Sequence, residues 1–274
     1  MHKVALINGK IVDAEDAVIP AVSGSAMYGH GVFTTIAIYG GEPFLLEKHW
    51  KRLTGNAEKL GITVDVSAGQ LESWLFQLLE ANGEADCRVR ITFLDAVGSG
   101  LWSGRSEKRT DVLIVSGERE PRPHAFRLTV SPYVVNSTSP LAGVKSCNYL
   151  EQLMAYDDAK RRGFDEAIRL NERGEVTSAA MSNIFWLTGD QVLTPSLSTG
   201  CLAGTTREFI LDNLLVREVR GGFDELQNAD AVFLTSSGIG IKQVRSIDDT
   251  QFDLTDHEIL HLLPPNTKTR MSAR

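Results

Sequence analysis

The chain has 274 residues, with 28 Lys plus Arg against 35 Asp plus Glu for a formal charge of −7, 42% hydrophobic residues and three cysteines. That length can bury one large core or two of medium size, and the composition excludes a disordered chain. The acidic balance gives no basic surface for nucleic acid and no apolar run approaches the roughly 18 residues of a membrane span, so neither partner is expected; Cys87, Cys147 and Cys201 are too scattered for a disulfide framework or a thiolate zinc site.

Met1 leads directly into a strand-like run without the apolar core of a signal peptide, and a reducing cytoplasm is the expected location. The run His2 to Glu15 alternates around Asn8-Gly9, residues that tolerate the positive φ of a tight turn, and predicts a β-hairpin. Leu46, Trp50, Leu53, Ala57 and Leu60 recur at helical spacing up to Gly61. A second helix through Leu71, Trp74, Leu75 and Leu78 stops at Asn82-Gly83. Strands follow at Cys87 to Leu94 and Asp111 to Ser116, separated by a Gly- and Ser-rich loop from Val97 to Ser106. Pro121 and Pro123 mark an extended connector, which divides the chain into an N-terminal α/β domain (1–117), a linker (118–124) and a C-terminal domain (125–274). Beyond it lie a strand at Phe126 to Tyr133, a helix from Asn148 to Arg162, four short strands (EAIRL, EVTSA, NIFWL, QVLTP), a helix beginning near Thr205 and the apolar strand ADAVFLTS. A short terminal helix before Pro264-Pro265 and a frayed polar end, 266–274, complete a mixed α/β chain.

Several motifs carry no chemistry. His257-Glu258-Ile259-Leu260-His261 has the spacing of a helical zinc site, but no third ligand follows and Pro264 cuts the helix short, so no metal is expected. Asn136-Ser137-Thr138 matters only in a secreted protein and reads as a loop. GxxxxGK[ST], GxGxxG after a strand, and GxSxG are all missing.

Lys145 sits in the apolar stretch Leu141-Ala142-Gly143-Val144, where desolvation would lower its pKa and free its amine for Schiff-base chemistry; a solvated surface lysine is the plain alternative. Gly204-Thr205-Thr206 would present the N–H groups of a helix N-terminus to an anion, Thr235-Ser236-Ser237-Gly238 is a hydroxyl-rich turn after a buried strand, and Arg52 could add a charged contact to the same anion. Taken singly, each also reads as an ordinary cap, loop or solvated side chain.

The blocks MYGHGVFTTI, HWKRL, GVKSCNYLEQLMA, GEVTSAAMSNIFW, CLAGTTRE and FLTSSGIGIKQV, which span nearly the whole chain, stand in the order and approximate spacing of the fold-type IV pyridoxal-phosphate enzymes. The chain resembles that family, which holds branched-chain and D-amino-acid aminotransferases and aminodeoxychorismate lyase. The resemblance implies an N-terminal α/β domain, a C-terminal β-barrel-like domain, pyridoxal 5'-phosphate as cofactor and a homodimer. It also implies that Lys145 forms the Schiff base with the cofactor and shuttles the substrate Cα proton. Arg52, the backbone N–H groups of Thr205 and Thr206, and Ser236 or Ser237 would hold the phosphate.

The chain departs from the family at one telling place. Most members read V-T-E where this chain reads Val176-Thr177-Ser178, and the family's Glu keeps the pyridine nitrogen protonated. A hydroxyl cannot stabilise a pyridinium as a carboxylate does, so a weaker electron sink is expected unless Glu175 or another acid takes over. That weakness should harm transamination more than an elimination driven by aromatisation. Ser23 and His30 also depart from the usual residues, and Thr34 stands where aminotransferases carry Glu; Phe33-Thr34-Thr35 and Asn148-Tyr149-Leu150-Glu151-Gln152 resemble the lyase branch. The expected activity is therefore conversion of 4-amino-4-deoxychorismate to 4-aminobenzoate and pyruvate, with a class IV aminotransferase as the alternative and a non-catalytic cofactor-binding relative as a more distant one. Arg88 and Arg90, two apart on one strand, share a face that could receive substrate carboxylates, and His30 and Thr35 complete the expected substrate contacts.

Overall fold

The computed structural model describes residues 1–97, 109–119 and 123–263. Most of the expected loop between Val97 and Ser106, residues 120–122 of the expected linker, Pro264-Pro265 and the polar end 266–274 lie outside them. The described residues form two units, one from 1–97, 109–119 and 144–148, the other from 123–143 and 149–263.

The first unit opens with strands β1 (Val4–Ile7) and β2 (Lys10–Asp13), joined through Asn8 and Gly9 at φ of 50° and 80°. Helix α1 (Gly24–Tyr28) leads into β3 (Gly31–Tyr39) and β4 (Glu42–Pro43), followed by helices α2 (Leu46–Lys59) and α3 (Ala68–Asn82) and strands β5 (Arg88–Asp95) and β6 (Thr110–Gly117). The six strands form one antiparallel sheet in the order β2-β1-β6-β5-β3-β4. Leu53 of α2 and Leu71, Leu75 and Leu78 of α3 pack with Leu6, Ile36, Ile91 and Ile114 of the sheet. Each such buried aliphatic side chain contributes about 1.5–3 kcal/mol, which outweighs the modest propensity of either helix alone.

Strand β3, absent from the elements read off the sequence, lies second from the edge of this sheet and is buried along most of its length. Residues 144–148, which the sequence reading assigns to the C-terminal domain, run along it. Phe33 N–H donates to Lys145 O at 3.0 Å, and Cys147 N–H donates to Gly31 O at 2.8 Å. The backbone of Lys145 is thereby fixed to a strand of the first unit.

The second unit contains β7 (Ala125–Val130), α4 (Leu150–Arg161), β8 (Glu166–Leu170), β9 (Val176–Ala179), β10 (Asn183–Thr188), β11 (Gln191–Pro195), α5 (Thr205–Asn213), β12 (Val216–Val219), α6 (Phe223–Gln227), β13 (Ala231–Ser236), β14 (Gly240–Ile247) and β15 (Thr250–Gln251). Its mixed nine-stranded sheet has the order β12-β11-β10-β13-β14-β7-β8-β9, with β15 on β14. The sheet curls until β9 meets β10, closing around Phe126, Leu128, Ile168, Trp186, Leu193, Val232 and Leu234. The expected terminal helix is only a 3₁₀ turn, Glu258–His261; His257 Nδ1 accepts from Ile259 N–H, and His261 Nε2 donates to Asp256 at 2.6 Å. No helix among the described residues is long and apolar enough to cross a membrane.

Candidate active site

Alternation along β3 sets the cluster in the first unit. Val32, Thr34 and Ile36 share the face that carries the Leu53 core, whereas Phe33 and Thr35 share the other. Across the sheet Thr35 is the register partner of Arg90, whose guanidinium carbon lies 3.6 Å from the Phe33 ring centroid. Lys145 Nζ lies 4.5 Å from the same centroid. One aromatic ring thus faces both the Arg90 guanidinium and the Lys145 amine.

Lys145 is half-buried. Burial, then the Arg52 and Arg90 charges, push its amine well below the ordinary lysine value, because each of these disfavours the ammonium form. His49, fully buried on α2, is pushed well below the ordinary imidazole value by burial and then by Arg52 and Lys145. Cys147 is pushed up by burial, which outweighs the nearby Arg90. A neutral lysine amine among fixed cations is a nucleophile prepared for the carbonyl of an anionic partner.

The other expected groups of this unit separate. Arg88 Nε and Nη2 donate to Glu118 O at 3.3 and 3.1 Å, so only Arg90 of the expected pair is held beside Lys145. His30 Nδ1 lies 2.7 Å from Asp95 Oδ2 and its Nε2 lies 2.8 Å from Leu60 O, which makes the ring a bracket between β5 and the end of α2. Arg52 Nη2 donates to Thr34 Oγ1 at 2.8 Å, and the same hydroxyl lies 2.6 Å from His49 Nδ1. His49 was missed in the sequence, although its spacing of three residues from Arg52 puts both on neighbouring turns of one helix face.

The second unit supplies neutral groups. Helix α5 starts at Thr205 after Gly204 without a side-chain cap, and Thr205 and Thr206 are both buried. Asn183 holds the approach: its Nδ2 donates to Leu202 O at 2.8 Å, and a Cβ at Gly204 would run into its Oδ1, so a larger residue there has to displace the Asn183 amide. Thr205 Oγ1 lies 3.5 Å from Ser237 Oγ, on the turn that follows β13 and Ser236. The adjacent Thr235 Oγ1 is buried and has no hydrogen-bond partner among the described residues. Ser178 is half-buried on β9 opposite Arg169 of β8, with its Oγ 3.5 Å from Thr177 Oγ1. Glu175 is tied to its own neighbours: its carboxylate accepts from Asn171 at 2.7 Å, Arg173 at 2.8 Å and Arg220 at 2.7 Å, and these hold it down at about 2.

Each unit by itself carries groups that suit part of a phosphorylated aldehyde. In the first, the depressed amine of Lys145 suits a carbonyl and the Arg52 guanidinium an anion; in the second, the uncapped start of α5 and the buried hydroxyl of Thr235 suit an anion with several acceptor oxygens.

The amino-transferase class IV family model matches residues 31–247. The chain is 29% identical over 255 residues to aminodeoxychorismate lyase of Bacillus subtilis (strain 168), covering 90% of this chain and 87% of that one. It is 28% identical over 262 residues to the branched-chain-amino-acid aminotransferase of Escherichia coli (strain K12), covering 89% and 84%. Its fold superposes on the crystal structure of the branched-chain aminotransferase of Thermoproteus uzoniensis with norvaline at a TM-score of 0.89 and 26% identity, over 95% and 93% of the two chains. The chain belongs to the class IV aminotransferase family. It is a pyridoxal-phosphate-dependent enzyme of fold type IV.

Proposed function

We propose that the enzyme is an aminodeoxychorismate lyase, converting 4-amino-4-deoxychorismate to 4-aminobenzoate and pyruvate in the cytoplasm as a homodimer. The observation that carries this reading is Arg90, fixed on the Phe33 ring beside Lys145, because a substrate with two carboxylates needs a cation beyond the one committed to the cofactor phosphate. Lyase relatives such as that of Bacillus subtilis support it.

Pyridoxal phosphate, when bound, supplies the carbonyl that captures the substrate amine and an electron sink at the reacting carbon. Lys145 is the catalytic residue. Its low-pKa amine would take the proton from the amine-bearing ring carbon; the neighbouring ring C–O bond breaks as the ring becomes aromatic, its electron pair leaving with the enolpyruvyl oxygen, and a proton added to the methylene carbon of that three-carbon unit gives pyruvate. The two products together hold all the atoms of the substrate, so no oxidant or reductant is required. In the first unit Arg52 binds the phosphate; in the second the N–H groups of Thr205 and Thr206 and the hydroxyls of Ser236 and Ser237 do so. Ser178 faces the ring nitrogen as a neutral partner. Thr35 and Arg90 contact the substrate, with Arg88 and His30 supporting the strands that carry them.

The second reading is a class IV aminotransferase for branched-chain or D-amino acids, favoured by the Thermoproteus uzoniensis likeness. Supplying aminodeoxychorismate in one assay and amino-acid/keto-acid pairs in the other separates the two. The lyase yields 4-aminobenzoate and pyruvate in equal amounts, and the visible absorbance of the bound cofactor disappears in Lys145→Ala. Amino transfer without 4-aminobenzoate overturns the first reading.

A further inference from the structure

Strands β8 and β9 place a buried arginine beside the serine assigned to the ring nitrogen. Arg169 and Ser178 are register partners of an antiparallel pair, and residues directly opposite one another present their side chains to the same face. Ile168 and Ala179, the next pair along, pack into the core of the curled sheet, so Arg169 and Ser178 share the face turned away from it. Arg169 is 2% exposed. Its side chain meets Glu151 of α4 at 3.5 Å, and that carboxylate is largely in solvent. The Arg169 Nε–H is buried and has no acceptor among the described residues. A guanidinium keeps its charge at this depth, and one stretched contact to a solvated carboxylate offsets little of it.

The hydroxyls beside Arg169 do not fix the protonation of a ring nitrogen. Thr177 Oγ1 donates its only hydrogen to Arg169 O at 3.0 Å, so toward Ser178 Oγ, 3.5 Å away, it can only accept. Ser178 therefore has both a hydrogen and lone pairs to offer, and can meet either a bare nitrogen or a protonated one. Charge decides between them. The carboxylates on the neighbouring elements have partners of their own: Glu151 meets Arg169 itself, Asp158 meets Arg162 at 3.3 Å, Glu166 accepts from Met181 N–H at 2.8 Å, and Glu175 is held by the three groups described above. A pyridinium would add a second positive charge beside the buried guanidinium.

We propose that Arg169 sets the charge state of the cofactor's pyridine nitrogen: the buried guanidinium, on the Ser178 face of the sheet, keeps a proton off the nitrogen and leaves it as the acceptor of the Ser178 hydroxyl. This rests on the assignment of Ser178 to the ring nitrogen. A bare nitrogen withdraws fewer electrons than a pyridinium, which suits a reaction driven by aromatisation.

The test loads the full chain with pyridoxal phosphate carrying nitrogen-15 in its ring, whose chemical shift separates pyridine from pyridinium without any turnover. The wild-type holoenzyme should give the pyridine shift at neutral pH. Arg169→Met removes the charge and keeps the length, and should move protonation of the nitrogen to higher pH by about one unit. Arg169→Lys keeps the charge and should titrate as the wild type does. Arg169→Gln, which keeps a donor and lacks the charge, should follow Arg169→Met and serves if that variant fails to fold. Ser178→Glu should protonate the nitrogen less completely than Ser178→Glu combined with Arg169→Met. A pyridinium in the wild type at neutral pH, or the same titration in Arg169→Met as in Arg169→Lys, would overturn the proposal. The double variant separates this from its parent: if its nitrogen titrates as in the wild type, Ser178 does not face the ring nitrogen, and the proposal falls with that assignment. If Ser178→Glu shifts the titration while the loss of the Arg169 charge does not, only the role of Arg169 falls.

Discussion

The first unit recognises with charge and the second with dipoles. Around Phe33 and Thr34 the first unit gathers Lys145, Arg52, Arg90 and His49, and the Arg52 charge lowers the pKa of both Lys145 and His49. At the start of α5 the second unit offers backbone N–H groups, the Asn183 amide and the hydroxyls of Thr205 and Ser237. Full charges act across several ångströms and through a low dielectric, whereas N–H groups and hydroxyls act only at contact distance and in the right direction. Substitutions in the first unit should therefore change pH behaviour. Substitutions at the start of α5 should change affinity or stability at every pH alike.

The sharpest test of that contrast removes a cation. Arg90→Leu should raise KM by about thirtyfold, the equivalent of about 2 kcal/mol for a charged hydrogen bond, and should move the acidic limb of the rate profile to higher pH, because one of the cations depressing the Lys145 amine that acts as base is gone. Arg88→Leu should leave KM within about twofold, since its guanidinium is spent on Glu118 O. Steady-state kinetics at several pH values decide both. In the second unit Gly204→Ala drives a methyl into Asn183 Oδ1 and should cost about 1–3 kcal/mol by thermal denaturation, with weaker cofactor binding and an unchanged pH profile. Adding Asn183→Ala should recover part of the loss.

Lys145 makes the apo protein's stability depend on pH. Its folded pKa is lowered, so the unfolded chain binds the proton more readily; the penalty is full below the folded value and vanishes as pH rises to the ordinary lysine value of 10.5. Lys145→Met should thus stabilise the apo protein at neutral pH by on the order of 1 kcal/mol, an advantage that shrinks toward pH 10.5. His49 acts in the same direction lower down: stability should fall as pH drops below 6.5, and His49→Gln should flatten that fall. The smallest effect is expected at Glu175, whose ion pairs are largely solvated; Glu175→Gln should cost under about 1 kcal/mol and leave the cofactor spectrum unchanged.

Local signals in the sequence were readable where a short segment decides its own shape. The Asn8-Gly9 turn, the two helices ending near Gly61 and Gly83 and the start of α5 follow from turn chemistry and periodicity. Strand β3 did not, because its residues are buried on both faces and lack the alternation of a half-exposed strand. The splitting of Arg88 from Arg90 was hidden for another reason: sharing a face says nothing about which neighbour, Glu118 O or the Phe33 ring, each guanidinium meets. The bracket made by His30 likewise depends on Asp95 and Leu60, which no local pattern connects to it.

The pairing of Lys145 with β3 also sets when the reactive amine comes into being. The strand that fixes it is made early in synthesis, the lysine far later, and their hydrogen bond closes a long stretch of chain, a slow kind of contact to form. Until it closes, Lys145 is a solvated, mostly protonated lysine, no more reactive toward aldehydes than its neighbours. Its depressed pKa, and the reactivity that comes with it, are therefore gained only with the completion of the fold.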